Sequence, residues 1–199
     1  MRITIDGCGT PQMHFDLLTT ICGSNETGCA LDAMCCEGNS TKKLKFRRKV
    51  FVDVQYREVQ MNPADLFVVT DIFNFLSHND YIYDVALCLD GIEHLTKDEG
   101  YILIDKLEKT ADKVVFFTPL GEYSLSDDDD PDHHHSGWLP SEFEDLGYSV
   151  IVLPNFHEEI NAGAFFAFKC TEMYSLKPRV RESEMQRIIN DIEQVPWTK

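Results

Sequence analysis

Four short apolar runs constrain this chain more than any other feature. They are Lys49-Val-Phe-Val-Asp-Val-Gln55, Leu66-Phe-Val-Val-Thr70, Asp84-Val-Ala-Leu-Cys-Leu89 and Lys113-Val-Val-Phe-Phe-Thr118. Each is rich in β-branched or aromatic residues and none alternates apolar with polar, so each is expected to be a strand covered on both faces. Helical spacing lies between them: residues 101–110 place Ile102, Leu103 and Leu107 on one side. This order predicts an α/β fold, a mostly parallel sheet with helices on both faces. Residues 3–6 read as a first strand and 14–21 as a short helix. Residues 22–48 read as irregular, with a helix near 26–36. A helical turn at 141–146 precedes a closing pair of strands at 148–153 and 162–169. Residues 182–194 read as a final amphipathic helix with Met185, Ile188, Ile189 and Ile192 on one face.

A chain of 199 residues with 43% hydrophobic residues can bury a sizeable core and fits one domain. Its net charge of −16 repels phosphate backbones and anionic membranes, so neither nucleic acid nor membrane is expected as a partner. Six of its 18 bases fall at Lys42, Lys43, Lys45, Arg47, Arg48 and Lys49, read as a solvated approach to a strand. The seven cysteines include no C-x-x-C pair, and the first residues carry no long apolar run. Reduced thiols and a cytoplasmic location are the expectation, and no metal site is expected.

In a parallel sheet, ligands sit beyond the carboxyl ends of the strands. The residues there are Asp6-Gly7-Cys8-Gly9, Asp53, Asp71-Ile72, Asp90-Gly-Ile-Glu93-His94 and Pro119-Leu-Gly121. Glycines after a strand admit a ligand close to the backbone. A carboxylate after the next strand can accept both hydroxyls of a ribose. An acid followed by Ile72 can meet an adenine amine and cover its ring. Together these point to an adenosine ligand. Asp32, after Cys29-Ala-Leu31, competes with Asp53 as the ribose acid; the stronger strand favours Asp53.

These residues resemble a family. Asp6-Gly-Cys-Gly-Thr10, Val52-Asp-Val-Gln-Tyr56, Phe67-Val-Val-Thr-Asp-Ile72, Tyr83-Asp-Val-Ala-Leu-Cys-Leu-Asp-Gly-Ile-Glu-His-Leu95, Val115-Phe-Phe-Thr-Pro-Leu-Gly121 and His134-His-Ser-Gly-Trp-Leu-Pro-Ser-Glu-Phe143 resemble the motifs of small bacterial class I S-adenosylmethionine-dependent methyltransferases. The resemblance implies a Rossmann-like seven-stranded sheet with an antiparallel closing strand. It implies S-adenosylmethionine as cofactor, held by Asp6, Gly7, Cys8, Gly9, Asp53, Asp71, Ile72 and Asp90, and methyl transfer to a small-molecule or sugar-like acceptor. Residues 22–48 would then be an insertion and 171–199 a tail. The absence of helices before the first strand implies that a second copy or a partner chain supplies the cap over the acceptor.

Glu93, His94, His134 and Trp138 are the candidate catalytic residues. Glu93 and His94 would be a general base and its partner, or residues beneath the cofactor. Trp138 would stack on the acceptor or pack its loop on the next helix. The loop 121–139 carries Asp127–Asp130, Asp132 and His133–His135; its acidic run reads as a surface loop, and its far end as part of a lid. Two other readings stand beside methyl transfer: a non-catalytic cofactor- or partner-binding module, and a metal-dependent hydrolase built on the Asp/His loop.

Overall fold

The computed structural model describes residues 1–5, 10–122, 133–157 and 162–171. The expected C-terminal helix, the acidic run and Asp6-Gly7-Cys8-Gly9 lie outside these. In chain order the elements are β1 (Arg2–Thr4), α1 (Pro11–Cys22), β2 (Asn25–Ala33), β3 (Phe46–Asp53), β4 (Leu66–Val69), α2 (Ile72–Ser77), β5 (Val85–Leu89), a 3-10 turn (Ile92–His94), α3 (Lys97–Glu108), β6 (Lys113–Pro119), α4 (Pro140–Asp145), β7 (Ser149–His157) and β8 (Ala162–Cys170). Among the described residues the strands form one eight-stranded sheet, in the order β1-β7-β8-β6-β5-β2-β3-β4. Only β8 runs antiparallel to its neighbours, β6 and β7. The expected α/β architecture is thus present, with eight strands rather than seven.

Two expectations need correction, and they are linked. The strand expected at residues 3–6 is Arg2–Thr4, which pairs with β7 at the sheet's outer edge. The segment expected to be a helix near 26–36 is instead β2, paired with β3 on one side and β5 on the other. Cys29-Ala-Leu-Asp-Ala33 is buried throughout, so it has no alternation to mark it as a strand, and a short apolar run cannot be told from buried helix by period alone.

Successive side chains of the buried strands point to opposite faces and feed two cores. Leu31, Ala86, Cys88, Val114 and Phe116 join Ile72, Leu103, Leu107 and Phe143 under α2, α3 and α4. Leu87, Val115, Phe117 and Phe166 join Leu17, Leu18 and Ile21 of α1 on the other face. The helices start where their caps dictate. Thr10 accepts from the Met13 amide with Pro11 in the first turn of α1, and Thr96 and Glu99 form a capping box at α3. α2 begins at Asp71, whose Oδ1 accepts from the amides of Phe73 and Asn74 at 2.9 and 3.0 Å.

Candidate functional site

From β2 the chain moves outward to β3 and β4, then returns to β5 on the other side of β2. Where connections diverge from a strand in this way, the loops leave a crevice at its carboxyl end. A cleft of about 230 Å³ lies there, lined by residues that follow β2, β3, β4 and β5.

The backbone around the cleft is strained. Met34, Cys36 and Asp90 have φ of 59°, 48° and 50°, and all three line it. A non-glycine residue in the left-handed region costs roughly 1–2 kcal/mol, and such costs gather at ligand sites. No other non-glycine residue among those described has positive φ.

Asp53 stands half-buried on the wall. Its Oδ2 accepts from the Cys36 amide at 2.8 Å and its Oδ1 from the Gln55 amide at 3.1 Å. The carboxylate therefore ties the turn after β2 to the end of β3 and retains further lone pairs for a ligand. Asp71 and Ile72 line the cleft from the start of α2. Asp32 does not: it is 4% exposed, accepts from the Thr41 hydroxyl at 2.6 Å, and is pushed up to about 7 by burial. Of the two competing acids, the structure places Asp53 in the cleft and Asp32 beneath the sheet end.

Asp90 and His94 form the cleft's other side. Glu93, between them in sequence, is 2% exposed and accepts from the Thr118 hydroxyl at 2.9 Å. Burial first and the neighbouring Asp90 charge second raise its carboxyl to about 8. Burial also raises Asp90, which nonetheless opens onto the cleft. The 3-10 turn is stitched to the segment after β6. The Glu93 carbonyl accepts from the amides of His135 and Ser136 at 2.8 and 3.0 Å. His94 Nδ1 lies 3.1 Å from the His133 carbonyl. The rings of His94 and His134 meet edge to face at 5.0 Å.

Of the two readings of Trp138, its surroundings match the packing one. It is fully buried in the core and absent from the cleft. Its indole donates to Ser136 Oγ at 2.9 Å, and its ring lies under Gly100 of α3, where a Cβ would come within 2.4 Å of Cζ2. Lys97 Nζ sits 3.6 Å from the ring centroid. Trp138 packs its loop on α3 and has no open face for an acceptor.

Sequence reasoning missed Met34, Cys36, Gln55, Arg57 and Thr70, all on the cleft wall. The signal that marks this loop is Gly38-Asn39-Ser40, a run of turn formers between β2 and β3. The six cysteines among the described residues are all free thiols. No helix among those residues is long and apolar enough to cross a membrane.

No protein-family model matches the sequence, and no curated protein matches it. Solved structures do. The N-methyltransferase NodS from Bradyrhizobium japonicum WM9 superimposes with a TM-score of 0.58 at 17% identity, covering 79% of this chain and 93% of that one. DhpI in complex with S-adenosylhomocysteine gives a TM-score of 0.59 at 15% identity, covering 84% and 85%. Magnesium protoporphyrin IX methyltransferase from Synechocystis PCC 6803, with S-adenosylmethionine bound, gives 0.53 at 15% identity, covering 80% and 79%. The chain has the fold of the class I S-adenosylmethionine-dependent methyltransferases.

Proposed function

We propose that this chain transfers a methyl group from S-adenosylmethionine to a small-molecule acceptor, sugar-like acceptors included. The observation that carries the reading is Asp53 on the wall of a cleft at the point where the strand order reverses. The neighbours of this fold that carry S-adenosylhomocysteine or S-adenosylmethionine support it.

The residues present fit the cofactor. Asp53 would take the ribose hydroxyls, and Asp71 and Ile72 the adenine amine and ring. Asp90 and the turn at Met34 and Cys36 would face the amino-acid end. Three aspartates line the cleft against one arginine, Arg57, an electrostatic setting suited to a cationic sulfonium. When bound, the cofactor supplies a methyl group already activated by that sulfonium. The chain's own task is then to orient two reactants and keep water from between them. His94 lines the cleft beside Asp90, with Glu93 buried behind it, and these with His134 would serve the acceptor side.

The test is radiolabel transfer from methyl-labelled S-adenosylmethionine to a panel of small hydroxyl and amine compounds. Transfer to any of them, reduced at least tenfold in Asp53→Asn, supports the reading. Cofactor binding without transfer to any acceptor class would favour a binding module.

A further inference from the structure

We infer that Glu93, His94 and His134 form a site for one divalent transition-metal ion, which holds a hydroxyl oxygen of the acceptor. The inference rests on the methyltransferase reading only for the identity of that hydroxyl; the ion site stands on its own geometry.

Donor atoms of the three side chains all lie within 4.8 Å of one another. Two come from the 3-10 turn after β5 and the third from forty residues further on, so the fold rather than local sequence brings them together. An ion bound at ~2.1 Å from each would draw the donors to roughly 3–3.5 Å apart. His134 is only half-buried and sits between helices and strands rather than within one, so it is the ligand placed to make that shift.

The residues behind the three donors are arranged as outer partners of metal ligands commonly are. A carbonyl can only accept, so the contact from the His133 carbonyl makes His94 Nδ1 the protonated nitrogen and leaves the lone pair on Nε2. The Thr118 hydroxyl donates to Glu93 Oε2 and fixes that carboxylate's orientation. The amides of His135 and Ser136 on the Glu93 carbonyl pin the chain on the far side of His134 to the turn that carries Glu93 and His94. Two of these contacts hold side chains of the cluster, His94 and Glu93, and the third holds the backbone next to His134.

One carboxylate and two imidazoles suit zinc, cobalt(II), iron(II) or manganese(II); magnesium and calcium prefer shells made wholly of oxygen. Three protein ligands leave coordination positions open, as in catalytic rather than structural sites. Of the three, His94 lines the cleft beside Asp90, and an acceptor hydroxyl in that cleft would take an open position. A hydroxyl oxygen bound there has its pKa lowered. Its O–H bond breaks, the proton passes to solvent water, and the oxygen keeps the electron pair as the nucleophile. This selects hydroxyl compounds over amines as acceptors. It also replaces the expectation of no metal, which was drawn from ligand spacing along the chain and could not see a pair of neighbours meeting a distant histidine.

The test uses the full chain, stripped with a chelator and titrated with cobalt(II), followed by calorimetry and by the ion's visible absorption. S-adenosylhomocysteine binding is measured on the same samples. The expected result is one ion per chain at micromolar affinity or tighter. His134→Ala should weaken it at least tenfold and Thr118→Val about tenfold, while His135→Ala, at a half-buried histidine outside the cluster, leaves it unchanged. Magnesium should not compete. Absence of cobalt binding at millimolar concentration overturns the site, as does equal weakening by His134→Ala and His135→Ala, which would reveal a histidine-rich surface only. Retained S-adenosylhomocysteine binding in His134→Ala shows that the variant is folded. Loss of that binding in the wild type, with cobalt still bound, would remove the methyltransferase reading and leave the metal site standing.

Discussion

Asp53 and Asp32 sit one strand apart and do opposite work. Asp53 meets the cleft with lone pairs to spare, so Asp53→Asn should weaken S-adenosylhomocysteine by ~1.5–3 kcal/mol, about 10- to 150-fold, through loss of a charge-assisted bond. Calorimetry on the folded variant checks this. Asp32 is buried and accepts from Thr41, and its carboxyl is raised from 3.8 to about 7 by burial. Between those values the folded chain holds a proton that the unfolded chain releases. Its contribution is therefore complete below about pH 4 and is lost as the pH rises through 7, at ~1.4 kcal/mol per pKa unit. Asp32→Asn cannot titrate. The stability difference between wild type and this variant should shift against the wild type from pH 5 to pH 8, as read by urea denaturation; a constant difference would mean that Asp32 is not held protonated. At this scale the sequence was readable where an acid directly follows an apolar run. Asp53, Asp71 and Asp90 each end such a run and each lines the cleft. Met34 and Cys36 were not readable, because their left-handed φ is imposed by the surrounding fold and has no residue-type signature.

Elements were legible when apolar periodicity or capping chemistry was unambiguous. The spacing of Leu103 and Leu107 marks α3, expected over residues 101–110; the structure has it at Lys97–Glu108, begun by the Thr96–Glu99 capping box, with Ile102 exposed and Ile104 buried in its place. β2 was misread because Cys29-Ala-Leu-Asp-Ala33 combines modest strand formers with burial on both faces, and no pattern separates it from a buried helix. The contact between α3 and the loop after β6 turns on Trp138. Trp138→Ala should cost roughly 3–5 kcal/mol, a core truncation rather than a loss of acceptor stacking. Gly100→Ala should cost about 1–3 kcal/mol despite alanine's better helix propensity, because the added Cβ meets the indole at 2.4 Å. Urea midpoints falling at unchanged slope check both; a Trp138→Ala chain of wild-type stability would show the side chain to be dispensable packing.

At the scale of the molecule, the sheet order sets where the cleft lies. β1 lies at one edge and β4 at the other, and the divergence at β2 opens the cleft between them. Charge fits this plan: a net −16 and a cleft whose lining sets three aspartates against one arginine suit a cationic ligand and oppose polyanions. The four apolar runs at β3, β4, β5 and β6 were enough to predict this architecture. The central claim is that this cleft holds S-adenosylmethionine, and titration calorimetry of the purified chain with S-adenosylhomocysteine tests it most directly. The account predicts one site per chain at micromolar affinity, about −8 kcal/mol, weakened by Asp53→Asn and unchanged by substitutions on the α1 face. No heat of binding up to millimolar ligand, with the chain shown to be folded, would contradict it.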